Sequence, residues 1–165
     1  MNIFRKGTMI LFVMLILCSC GKGQPKEIKP VELDETLTLD GKITQDDFSC
    51  SAVLKRGGDG TWETEFSSPT SISGMKVKCS GDVCTLELDD LNYSFERDKL
   101  SKAGMISLLT KSTDKLISQN DLLCVSDGET IRENGNVDGE NFTAEFDDKK
   151  LKKITVGNYL TAEFS

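Results

Sequence analysis

The sequence predicts an α+β protein: a curved antiparallel sheet, a half-barrel of about ten strands, with one helix packed on its concave face. Three observations carry this expectation. From Val31 onward apolar side chains recur at every second position, the spacing of half-buried antiparallel strands. That period changes once, over residues 101–117. Turn signals built from glycine, asparagine and aspartate punctuate the rest at the spacing of a meander.

Taken in order, Leu37 and Leu39 alternate with threonine ahead of Asp40-Gly41, which reads as a hairpin turn with Lys42-Ile43-Thr44 returning. Phe48, Cys50, Ala52 and Leu54 share one face, and Gly57-Gly58-Asp59-Gly60 is a turn. Trp62, Thr64 and Phe66 share the next face. Met75, Val77 and Cys79, then Cys84, Leu86 and Leu88, flank Gly81-Asp82, and Tyr93 and Phe95 form a further short strand. Pro69 falls in a connection, where it removes no ladder bond. In residues 101–117 the apolar positions are Met105, Ile106, Leu108, Leu109, Leu116 and Ile117, spaced as on one helical face. Ser101 is the expected N-cap and Asn120 the expected stop. With no second helix available, that stripe must lie on the sheet. Strands resume over residues 122–125, 130–132, 141–146, 151–156 and 160–164. Their turns are expected at Asp127-Gly128, Asn134-Gly135, Asp138-Gly139 and Gly157-Asn158.

The N-terminus carries an address. Arg5 and Lys6 precede an unbroken apolar run from Met9 to Leu17, the shape of a secretory signal and too short to span a bilayer core. Leu17-Cys18-Ser19-Cys20 follows and resembles the bacterial lipobox. That resemblance implies cleavage between Ser19 and Cys20 and a diacylglyceryl group on the Cys20 thiol. The expected organisation is a signal peptide over 1–19, a lipidated N-terminus and flexible tether over 20–30, and a single domain over 31–165. The expected location is the extracytoplasmic face of the cell membrane.

Composition excludes several classes. The chain has 20 basic and 27 acidic residues, a net charge of −7, and loss of Arg5 and Lys6 with the signal makes the remainder more acidic still. Such a chain does not suit nucleic acid or anionic headgroups, so membrane attachment falls to acyl chains, at about 0.8 kcal/mol per buried CH₂. The sequence has no histidine, which removes Ser-His-Asp, Cys-His and His-zinc chemistry. No catalytic residues, cofactor or metal site are expected, and the protein is read as non-enzymatic. Asn134, Asn136, Asp138, Gly139 and Glu145 approach the spacing of a calcium loop, but their flanks read as strands. Asp46-Asp47, Asp89-Asp90 and Asp147-Asp148 read as solvated turn and strand-end charges, because neighbours on a strand point to opposite faces.

With Cys18 and Cys20 accounted for, Cys50, Cys79, Cys84 and Cys124 remain, an even number in an exported domain. A two-residue turn at Gly81-Asp82 sets Cys79 opposite Cys84 in a non-hydrogen-bonded pair, where Cα atoms approach to about 4.5 Å, within disulfide range. The alternative is that these are free, buried cysteines acting as small hydrophobes.

The order of elements carries one further resemblance. Trp62, Phe66, Pro69 and Gly74, a hairpin, one helix, and then Gly135 and Gly139 ahead of the Phe142 strand resemble small Firmicutes-type lipoproteins of unknown function. These in turn are similar to the lipoprotein-carrier (LolA/LolB-like) half-barrel superfamily. The resemblance spans roughly residues 46–165 and implies a half-barrel whose helix plugs an apolar concave face, with an acyl chain or other apolar ligand between the two. Trp62, Phe66, Met75, Val77, Leu86, Leu88, Met105, Leu109 and Phe142 are the candidate lining residues. The alternative is a structural or interaction protein at the cell surface, in which the same residues fill a core and no small molecule binds.

Overall fold

The computed structural model of the protein describes residues 26–101, 104–128 and 130–165. The expected signal peptide, the Ser19/Cys20 junction and most of the tether lie outside the described residues. Alternation of apolar and polar side chains builds eleven strands of four or more residues and one two-residue strand. In chain order these are β1 (Lys26–Glu27), β2 (Leu37–Gln45), β3 (Phe48–Arg56), β4 (Trp62–Ser68), β5 (Lys76–Ser80), β6 (Val83–Leu88) and β7 (Leu91–Glu96). The helix α1 (Met105–Ser118) follows, then β8 (Leu123–Ser126), β9 (Thr130–Val137), β10 (Glu140–Asp147), β11 (Lys150–Val156) and β12 (Leu160–Phe164). All belong to one open, curled sheet in the order β1-β8-β9-β10-β11-β12-β2-β3-β4-β5-β6-β7. Every neighbouring pair is antiparallel. The protein is α+β, with slightly more strands than the sequence suggests.

Two meanders, β2–β7 and β8–β12, meet where the last strand pairs with β2. The helix carries the chain from one free end of the sheet back to the other. Its residues Leu108, Leu109, Ser112, Thr113 and Leu116 are fully buried against the apolar face of the sheet, which presents Ile43, Leu54, Trp62, Phe142, Phe146 and Ile154. Two hydroxyl groups of the helix are satisfied locally, Thr110 donating to the Ile106 carbonyl and Thr113 to the Leu109 carbonyl, each at 2.8 Å, whereas the buried Ser112 hydroxyl has no hydrogen-bond partner.

Five expectations are corrected by the fold. Asp40-Gly41 is not a turn: β2 runs straight through it, and the turn is Asp46-Asp47. Gly41 is needed for close approach, since a Cβ there would lie 2.2 Å from the Glu163 carbonyl oxygen of β12. Asn134-Gly135 is likewise inside β9, where the Phe142 ring lies over Gly135 and a Cβ would come within 2.6 Å of it. Helix α1 starts at Met105 with Gly104 rather than Ser101 in the N-cap position, and ends on Gln119 in the left-handed region rather than on Asn120. The tether is shorter than expected, because Lys26 and Glu27 pair with β8 and the Ile28 amide donates to the Cys124 carbonyl. In keeping with their reading as turn charges, the adjacent carboxylates Asp46-Asp47 and Asp89-Asp90 form two-residue turns with their first member at positive φ, a conformation aspartate tolerates.

One buried acid pins the start of the domain. Glu133 on β9 is completely buried, and its Oε1 accepts the Val31 amide at 2.5 Å across 102 residues of sequence. Burial raises its carboxyl above the ordinary glutamate range, partly opposed by that hydrogen bond. Burial likewise raises the Cys124 thiol, opposite Glu133 in register, to about 11, with the Glu133 charge adding to the effect. A carboxyl raised on folding contributes fully below its unfolded pKa, and the contribution is lost as pH rises through the folded value. Glu133→Gln keeps the acceptor for Val31 and removes the titration. The stability difference between variant and parent, measured by urea denaturation, should therefore shift in favour of the variant as pH rises from the acid side to neutrality; a difference independent of pH would contradict this. Gly41→Ala should separate β2 from β12 and cost at least about 2 kcal/mol, within the overpacking range, read as a lowered denaturation midpoint with loss of amide-exchange protection along β12.

Candidate functional site

The helix is held from both flanks. On one, Asp114 accepts Arg56 Nε at 2.7 Å and the indole N–H of Trp62 at 3.2 Å. Trp62 is 1% exposed, and an indole buried this deeply must find an acceptor. Arg56 also donates to the Glu35 carbonyl at 2.6 Å, tying the segment before β2 into the same cluster. On the other flank Lys111 pairs with Asp138 in the β9–β10 turn.

Between these anchors the first half of α1 stands away from β4 and β5, leaving a cleft of about 310 Å³. Trp62, Val77, Leu100 and Ile106 supply apolar walls, and the Cys79 end of a disulfide completes the sheet side. Cys79 and Cys84 are joined across β5–β6, directly opposite in register with Cα atoms 4.1 Å apart. Cys50 and Cys124 are free and buried, and burial raises the Cys50 thiol as well. The Cys50 sulfur lies 3.8 Å from that of Met105, at the start of the helix. Polar groups also line the cleft: Thr64, Ser107 and Thr110 from its walls, and Asp82, Arg97, Asp98 and Lys111 toward its rim. Thr64 is fully buried and its hydroxyl has no hydrogen-bond partner.

Of the nine lining residues expected from sequence, the cleft takes two, Trp62 and Val77. Phe66, Leu109 and Phe142 are buried in the core, and Met75, Leu86 and Met105 are partly buried against it. Leu88 shares the face of Leu86 on β6, without joining the core cluster. The reason is packing: α1 lies close over β9 and β11 and fills most of the inner face with side chains. Sequence reading missed Thr64, Leu100, Ile106, Ser107 and the rim charges as lining residues. Thr64 had a signal, because it alternates in phase with Trp62 and Phe66; Arg97 had none.

The calcium-like spacing is spread along one hairpin. Asn134 Oδ1 accepts the Thr143 hydroxyl at 2.8 Å, Asn136 Oδ1 accepts the Gly139 amide at 3.1 Å, and Glu145 faces Arg132 at 3.4 Å. Asp138 holds Lys111. These oxygens serve the hairpin and the helix, and among the described residues no cluster of three metal-ligating His, Cys, Asp or Glu side chains forms. No described helix is long and apolar enough to cross a membrane.

A further apolar surface lies at the free end of the sheet. On β7, Leu91 is 71% and Tyr93 67% exposed. Their register partners Leu88 and Leu86 share the face on which Cys84 points inward. No protein-family model matches the chain, and no curated protein matches it.

The Asp114 cluster makes a direct prediction. Asp114→Ala should destabilise the protein by about 2 kcal/mol, the scale of a hydrogen bond to a charged group, and red-shift the emission of Trp62, the single tryptophan. Asp114→Asn, which still accepts from the indole, should lose less; equal losses would mean that the charge on Asp114 contributes nothing.

Proposed function

We propose that this is an exported lipoprotein, anchored through a diacylglyceryl group on Cys20, whose half-barrel domain holds an apolar chain in the cleft beneath the first half of α1. The observation that carries this reading is the cleft itself. Its volume of about 310 Å³ reaches the lower end of the range of about 300–1,000 Å³ for small-ligand sites. Its walls are mainly apolar, and the helix that roofs it is held by the Arg56–Asp114 and Lys111–Asp138 pairs. An open curled sheet with one helix on its inner face fits the lipoprotein-carrier-like resemblance of the sequence. The role is binding rather than catalysis, with the membrane as the site of attachment and no nucleic acid involved.

A second reading is favoured by the filled core and the exposed β7 face: a structural or interaction protein at the cell surface with no small ligand. Native mass spectrometry of residues 21–165 purified without detergent, beside an organic extract, separates the two. A lipid that co-purifies and strips under activation is the expected result, and a clean unliganded mass would favour the second reading. Lipid attachment has its own test. Cys20→Ser should accumulate as unprocessed precursor or be shed, and mature protein still bound to membrane would contradict the anchor.

A further inference from the structure

The charges around the cleft are not placed evenly, and their arrangement bears on the kind of chain it takes. Asp82 and Asp98 are exposed, whereas Arg97 between them is half-buried. Asp98 lies 3.6 Å from Lys99, and Asp82 uses its backbone carbonyl to accept the Arg97 amide at 2.8 Å. Lys111, the other cation of the lining, is taken up by Asp138. Among the described residues the Arg97 guanidinium has no carboxylate within ion-pair distance, although the chain carries 27 acidic side chains against 20 basic ones. A guanidinium presents a planar fork of donors that matches a carboxylate or phosphate. Here it stands over apolar walls formed by Trp62, Val77, Leu100 and Ile106. The Thr64 hydroxyl, buried in the same wall without a partner, is a second polar group in the lining whose hydrogen bonding the protein does not complete.

We infer that the cleft selects a single-chain amphiphile with an anionic head, the tail lying along the Trp62–Ile106 walls and the head meeting Arg97 at the rim. This rests on the binding role proposed above and narrows it to an acid rather than a neutral lipid. Its chemistry is shared by a free fatty acid and by a lysophospholipid with an exposed phosphate.

Trp62 reports occupancy, because it lines the cleft and is the single tryptophan. The full-length protein carrying Cys20→Ser, which has no acyl chains of its own at that position to compete, is titrated with palmitic acid, palmitoyl lysophosphatidate and hexadecanol, following Trp62 emission. At least one of the two acids should bind about tenfold or more tightly than the alcohol, as expected for one charge-assisted contact. The tighter of the two identifies the head group. Arg97→Gln should bring the acids down to the level of the alcohol, and Arg97→Lys should keep most of the preference. Acids and alcohol binding the Cys20→Ser protein equally would overturn the inference while leaving a binding role intact, and that comparison needs no substitution in the cleft. Binding of none of the three would remove the binding role itself. A preference for acids that survives Arg97→Gln would place the head elsewhere, the hollow beside Lys149 and Lys150 included, and would overturn the assignment to Arg97.

Discussion

The contact between Asp114 and the Trp62 indole, shared with Arg56, sets the internal geometry of this protein. A sheet that is open and apolar on its inner face needs a cover, and among the described residues α1 is the only α-helix available to supply it. Apolar packing alone would let a short amphipathic helix slide or rotate, since burial has no direction. The carboxylate on α1 gives it one, because it must meet two donors fixed on adjacent strands. The Lys111–Asp138 pair fixes the opposite flank. The cleft follows from this arrangement: with the second half of the helix held down, the first half bridges β4 and β5 without filling the space above them.

The architecture was legible because its pattern is redundant. Each strand repeats the period-two signal, and the single change of period over Met105–Ile117 identifies the helix without competition. What misled was local chemistry whose purpose is distant. Asp-Gly and Asn-Gly are strong turn signals within a hairpin, but Gly41 and Gly135 exist for neighbours more than a hundred residues away or across a strand: the Glu163 carbonyl and the Phe142 ring. Sequence spacing records that a glycine is present and does not record which of its uses applies. Helix boundaries failed for a related reason, since Ser101 can cap but Gly104 takes the position.

The candidate site was less legible than the fold. An apolar residue that lines a cavity and one that fills a core have the same spacing, so the nine candidates could not be sorted until the height of the helix above each strand was known. Trp62 and Val77 remain at the cleft because α1 is high over β4 and β5; Leu109 and Phe142 are sealed because it is low over β9 and its neighbours. Arg97 gave no signal because its significance lies in the absence, among the described residues, of a carboxylate in ion-pair distance of its guanidinium, which is a fact of three dimensions.

The pairing of β2 with β12 has a consequence for how the chain reaches this state. Each meander is built from hairpins whose partners are close in sequence, so both can assemble with small losses of loop entropy. The seam between them joins Gly41 to Phe164 and Ile43 to Ala162, the most distant strand pairing in the molecule. Local pairing can therefore form within each half before the seam closes, leaving β2 and β12 with unpaired edges. Until it does, each half presents an open strand of the kind that pairs with other chains. The interval before β12 docks is then the most vulnerable, and the excess of acidic over basic residues, 27 to 20, keeps such half-formed copies apart.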